Sequence, residues 1–372
     1  MIERTFQQAG LSVVFALAAM MHTPARAQPC QIEPAISSAM TLSADQAAAV
    51  TACAQQNAAD LSSEDADKRR IARRAILAPL EGANVSAAFR IQYAKSLEPA
   101  LRELAKHADD RLAVVALIIA GDLATETSTG MLTGQLASPR PALRYEAAFG
   151  LRRTFEAASV ARPAVLSTTV SAAMTALQNA MGVEQDGQVL KAQAAALLAG
   201  AGLPERDFPS ARLEASSALC VGLSNHVKAR GTKLPDQSSL EAYHKGVRGV
   251  RDIFLQPDAR MNAASANAAA ELSGRLIALA ARALKAKDYQ AASESSRGEM
   301  TSAVGASETL IQLAGNVLSP GTRFPTPGLG TTLRESTVAS EAKFILDATS
   351  IVGADGVLTK PPFQFSKAHF LP

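Results

Sequence analysis

The feature that most constrains this 372-residue chain is a short pattern that recurs in its middle third. Ser138 to Leu151 reads as a proline-bounded turn followed by a tightly packed helix. Its skeleton is Leu143-Arg144, two residues skipped, Ala147-Ala148, two skipped, then Leu151. The skeleton recurs as Leu190-Lys191, Ala194-Ala195 and Leu198, and a looser copy runs from Leu112 to Ala120 after Asp109-Asp110-Arg111. A unit of this size cannot bury its apolar face alone, so it buries it by stacking on the next unit. The expected class is all-α: a stacked helical array followed by a helical-hairpin bundle.

The residues before the array divide in two. Arg4 gives a basic start, Leu11 to Met21 is apolar apart from Ser12, and Pro24-Ala25-Arg26-Ala27 offers a small-x-small cleavage site. That is the layout of a secretory signal peptide over residues 1–27, cut near Ala27. The apolar run is shorter than the roughly 20 residues a membrane span needs, and no later segment is longer. The mature chain is therefore expected in the periplasm or secreted, with no membrane span. Removing the leader takes Lys+Arg from 37 to 35 and Asp+Glu from 34 to 33, leaving a charge of +2. A nucleic-acid binder shows a strong basic excess, so nucleic acid is not the expected partner.

Cys30 and Cys53 lie close together near the mature N-terminus, and in an oxidising compartment they are the natural disulfide pair. The bridge would close a loop of 22 residues and contribute about 3 kcal/mol on the chain-entropy model. Cys220 sits in an apolar helical context and reads as a buried, unreactive thiol.

Helical periodicity continues almost everywhere. Residues 28–62 hold an N-terminal segment and a first helix, capped by Ser43 with Gln46 as its capping-box partner. Residues 63–210 read as helical hairpins: Ile71, Ala75 and Leu80 form an inner face, and Pro99 breaks the Val85–Ala108 segment in two. Residues 211–318 read as a helical bundle or degenerate repeats. Its expected caps are Ser238 with Glu241, Asp258 for a helix reaching about Lys285, and Asp288 for one from Tyr289 to Val317. Residues 319–372 hold a proline- and glycine-rich linker, a last helix from Glu335 to Val352 and an extended tail. The tail phenylalanines Phe363, Phe365 and Phe370 either pack back onto the last hairpins or dock a partner.

The segment from Asp109 to Gly200 resembles HEAT-type repeats, in which a turn residue, an apolar–arginine pair and an Ala-Ala step mark the second helix. Arg144, Ala147, Ala148 and Leu151 match that pattern; Lys191, Ala194, Ala195 and Leu198 match it with lysine for arginine. The resemblance implies a HEAT-like α-solenoid, a right-handed superhelix that binds another protein along a groove. In such repeats the basic residue either bonds a carboxylate or carbonyl of the adjoining repeat or meets the partner. Arg140, Arg144 and Lys191 are the candidate protein-binding residues.

Chemistry is conspicuous by its scarcity. The mature chain keeps four histidines, His107, His226, His244 and His369, none within metal-ligand spacing of another or of a cysteine. There is no HExxH, CxxCH, P-loop or Gly-x-Ser-x-Gly elbow. Asp109-Asp110 and Glu64, Asp65 and Asp67 sit where helix N-termini favour negative charge. The expectation is a non-enzymatic scaffold that binds another protein, with no catalytic, metal or cofactor residues. Two alternatives are an enzyme or enzyme accessory subunit with a site of scattered residues, for instance around His226, Tyr243 and His244, and a self-associating structural component of the envelope.

Overall fold

The computed structural model describes residues 30–82, 84–160, 163–231 and 233–370. The leader expected over residues 1–27 and its cleavage near Ala27 lie outside them. In chain order the helices are α1 (Pro34–Ser37), α2 (Ala44–Leu61), α3 (Ala66–Leu77), α4 (Ala87–Ala105), α5 (Asp110–Leu123), α6 (Glu126–Gln135), α7 (Pro141–Val160) and α8 (Ser167–Val183). They continue with α9 (Gly187–Ala201), α10 (Ala211–Arg230), α11 (Gln237–Phe254), α12 (Ala263–Lys285), α13 (Asp288–Ala291), α14 (Glu294–Leu318), α15 (Leu329–Glu335) and α16 (Val338–Val352). Among the described residues there is no strand, only one isolated bridge between Thr125 and Ala164. The fold is all-α. None of these helices is long and apolar enough to cross a membrane.

The helices lie in two rows. One stacks α2, α4, α6, α8, α10, α12 and α16 in that order; the other stacks α3, α5, α7, α9, α11, α14 and α15. Most helices fold back against the preceding one, and the two rows bury their facing apolar sides in one continuous core running from Val50 to Phe370. Alanine makes this stacking possible. Ala147, Ala148, Ala194 and Ala196 are buried where α7 and α9 meet their neighbours. Each buries little area, so stability accumulates from many such contacts.

Cys30 and Cys53 are joined by a disulfide, with Cα atoms 5.3 Å apart. It ties the N-terminal segment to α2, and Asn57 Nδ2 donates to the Cys30 carbonyl beside it at 3.1 Å. Cys220 is buried, and burial pushes its thiol above the usual range.

Several local expectations are corrected. Pro99 does not break its segment; α4 runs through it. Pro99 and Lys95 are both exposed, so the Lys95 carbonyl that loses its helical bond is open to water, while Tyr93, Leu97, Leu101 and Leu104 hold the buried side together. The inner face of α3 is Ala72 and Ile76, not Ile71, which is 37 % exposed. The cap of α11 is Asp236, whose carboxylate accepts the Ser239 amide at 3.0 Å. Glu241, the expected capping partner, is taken instead by Lys191. Asp258 pairs with Arg212, and α12 starts later, on an Asn262–Ser265 capping box. Asp288 opens only the single turn α13; α14 has its own cap at Ser293. The last helix starts at Val338 rather than Glu335, because a further helix, α15, ends at Glu335 and Ser336 adopts a left-handed conformation (φ 49°) between the two.

The tail packs. Phe363 and Phe370 are buried, and Phe370 lies against Gly274 of α12, where a Cβ would stand 2.6 Å from its ring. His369 Nε2 lies 2.9 Å from Glu271, the carboxylate that also accepts from Arg275.

Candidate protein-binding surface

The row from α5 to α14 is cross-linked along its length by polar side-chain pairs. Arg140, in the turn before α7, reaches Asp110 of α5 at 2.9 Å and the carbonyls of His107 and Ala108. Arg144 of α7 grips Glu184, at the end of α8, through Nε at 2.9 Å and Nη2 at 2.7 Å. Lys191 of α9 meets Glu241 of α11 at 2.9 Å, and His244 of α11 meets Glu299 of α14 at 2.7 Å. Each link joins a helix to the next unit, so Arg140, Arg144 and Lys191 serve as struts inside the chain.

Glu184 is the most heavily used of these carboxylates. Besides Arg144 it accepts the backbone amides of Gln185 and Asp186 at 2.8 and 3.0 Å. Its side chain is only 2 % exposed. Burial alone would raise its pKa, but these bonds outweigh it and hold Glu184 below the usual carboxylate range.

The residues expected to mark an alternative site are divided. His226 Nε2 lies 3.0 Å from the Glu184 carbonyl and Nδ1 lies 2.6 Å from the Tyr243 hydroxyl. A carbonyl only accepts, so Nε2 carries the proton and Tyr243 donates to Nδ1. Both side chains are buried, and burial lowers His226 to about 4, helped by the charge of Arg230. The ring is a neutral cross-brace between α8, α10 and α11. His244 is not brought to it; it belongs to the Glu299 link.

What sequence reasoning missed lies on the outer side of α7. With Leu143, Ala147 and Leu151 turned into the core, Tyr145 and Phe149, four residues apart, share the opposite side. Their rings stack at 6.2 Å, and the guanidinium groups of Arg152 and Arg153 stand 5.9 and 5.5 Å from the Phe149 centroid. The i, i+4 spacing of two aromatics outside the Ala-Ala step was the available signal.

Beneath this patch Arg153 is fixed from three sides. It donates to Asp122 at 2.8 Å, to the Ile118 carbonyl at 2.6 Å and to Glu146 at 3.3 Å. Burial pushes Glu146 up to about 7, against the pull of Arg153 and Arg73. Asp122 is also raised by burial, opposed by Arg153 and Arg90. The reach to Ile118 depends on a close crossing: a Cβ on Gly121 of α5 would stand 2.7 Å from the Gly150 Cα of α7 and 2.9 Å from Arg153 Nη2.

No protein-family model matches this chain. No curated protein matches it either. Similar solved structures include three crystal structures of engineered proteins. One is 14 % identical, over 69 % of this chain and 97 % of its own, with a TM-score of 0.30. A second is 14 % identical over 68 % and 98 %, with a TM-score of 0.31. The third is 15 % identical over 91 % and 93 %, also at 0.31. Likeness at this level bears on neither fold nor function.

Proposed function

We propose that the protein is an exported, non-enzymatic scaffold whose helical-repeat surface binds another protein, with the outer side of α7 as the contact. One observation carries this reading. Of four tyrosines, Tyr93, Tyr243 and Tyr289 are buried, while Tyr145 is left 40 % exposed on a stacked aromatic pair beside two arginines. Tyrosine and arginine are the side chains most enriched at the energetic centres of protein interfaces. Arg153 is already immobilised by Asp122, Ile118 and Glu146, so little side-chain entropy is left to lose on binding.

Export is supported by the leader pattern of residues 1–27 and by the disulfide, which persists in oxidising compartments. The two-row stacking and the HEAT-type motif support the α-solenoid reading. Because the struts Arg140, Arg144 and Lys191 are occupied within the chain, they set the spacing of the units rather than supply the contact.

The test is affinity capture of the tagged protein from its native periplasm beside a Tyr145→Ala/Arg152→Ala variant. One protein enriched by the native form, and lost with a variant that retains its circular dichroism and Tm, is the expected result. Equal enrichment by both forms removes α7 as the contact. No enrichment by the native form removes the scaffold reading itself.

A further inference from the structure

Among the described residues the second row begins with α3. Among those residues its outer side is covered in part, by the N-terminal segment. Between the two lies a cavity of about 530 Å³, within the range of small-molecule sites, about 300–1,000 Å³. Ile32 and Pro34 line one wall; Ile71, Ala75 and Pro79 line the other. Arg70 and Arg74 also line it. Arg70 is paired with Asp67 at 3.0 Å, whereas Arg74 has no side-chain partner among the described residues.

The wall formed by the N-terminal segment is anchored at both ends. At one end Cys30 is bonded to Cys53 of α2. At the other the Ser86 amide donates to the Ser37 carbonyl at 2.9 Å. The stretch between them, residues 31–36, is a strap across the side of α3. Ile71 is left part-exposed on the strap side of the helix, where it lines the cavity.

We infer that this cavity is a binding site for a small apolar carboxylate, an acyl chain whose methylenes fill the space between the strap and α3 and whose carboxylate is taken by Arg74. The inference follows from the match of chemistry: apolar walls exclude a fully polar ligand, and an unpaired guanidinium beside them selects an anionic head. The disulfide gives the site a second property. Reduction frees the Cys30 end of the strap, so the apolar wall is no longer held against α3 and affinity falls.

The probes are decanoate, decanol and decylammonium, titrated into the purified full chain by calorimetry, with octanoate to read the dependence on chain length. Decanoate should bind saturably at one site. Each methylene added between octanoate and decanoate should tighten binding about fourfold. Decylammonium should not bind. Arg74→Ala, a surface change that leaves the core intact, should weaken decanoate about tenfold and leave decanol unchanged. Ala75→Leu, which narrows the cavity between the strap and α3, should weaken binding of both, and reductant should weaken both without unfolding the chain. The inference is overturned by absence of saturable decanoate binding, by equal affinity for decanoate and decylammonium, or by decanoate binding that Arg74→Ala leaves unchanged. The last test stands even if Ala75→Leu fails to fold.

Discussion

Arg144 and Glu184 form a two-bond pair, at 2.9 and 2.7 Å, in a place where four helices converge. Glu184 closes α8, receives Arg144 from α7, bonds the turn into α9 through the Asp186 amide, and offers its own carbonyl to His226 of α10. A buried carboxylate left without its partner is costly, so Arg144→Ala should destabilise the protein by about 3 kcal/mol. Arg140→Ala removes a more exposed link and should cost below about 1 kcal/mol. Urea denaturation of the two variants checks the order, and equal losses would show that burial does not set the worth of the struts.

Gly121 and Gly150 set how closely α5 and α7 approach. The Cβ of Gly121→Ala would press on backbone and on the fixed Arg153 guanidinium, neither of which can yield cheaply. A loss of about 2–3 kcal/mol in thermal or chemical denaturation is expected. Gly130→Ala, where a Cβ meets nothing within 4 Å, should be neutral or stabilising.

Two buried groups give the stability of the fold opposite dependences on pH. His226 is held near 4 in the folded state, against about 6.5 when unfolded. Between those values the unfolded chain binds more protons, so stability is lost as pH falls from about 6.5 to 4, by up to about 3 kcal/mol. Glu146 is held near 7, against 4.5, so the folded chain binds more protons and stability is lost as pH rises from 4.5 to 7. His226→Gln should flatten the acid limb and lower stability at neutral pH. Glu146→Gln should flatten the other, so that the stability of the variant relative to the native protein rises from pH 5 to pH 8. Tm measured across pH for the two variants checks both signs.

The tail is part of the core. Phe370 is buried against α12, and its carbonyl accepts from Arg282 at 3.3 Å. Phe370→Ala should cost about 3 kcal/mol and lower Tm. An unchanged Tm would mean that the tail is dispensable to the array.

The local rules of the sequence were read with uneven success. The cap Ser43 stands where expected, because it is a local bond between a side chain and an amide three residues on. Asp258 and Glu241 are equally good capping residues, yet Arg212 and Lys191 claim them. No local pattern records such a competition. Likewise Ile71 fits the apolar period of α3, but the strap leaves it on the cavity side.

By itself the sequence determined the helical class, the alanine-based stacking and the cysteine pair, because periodicity, capping and chain proximity act over a few turns. Only the tertiary structure decided which charges became struts, which aromatics stayed outside and where a cavity opened. Those outcomes depend on residues 30 to 98 positions apart, such as Arg140 with Asp110 and His369 with Glu271, meeting at distances that only packing fixes.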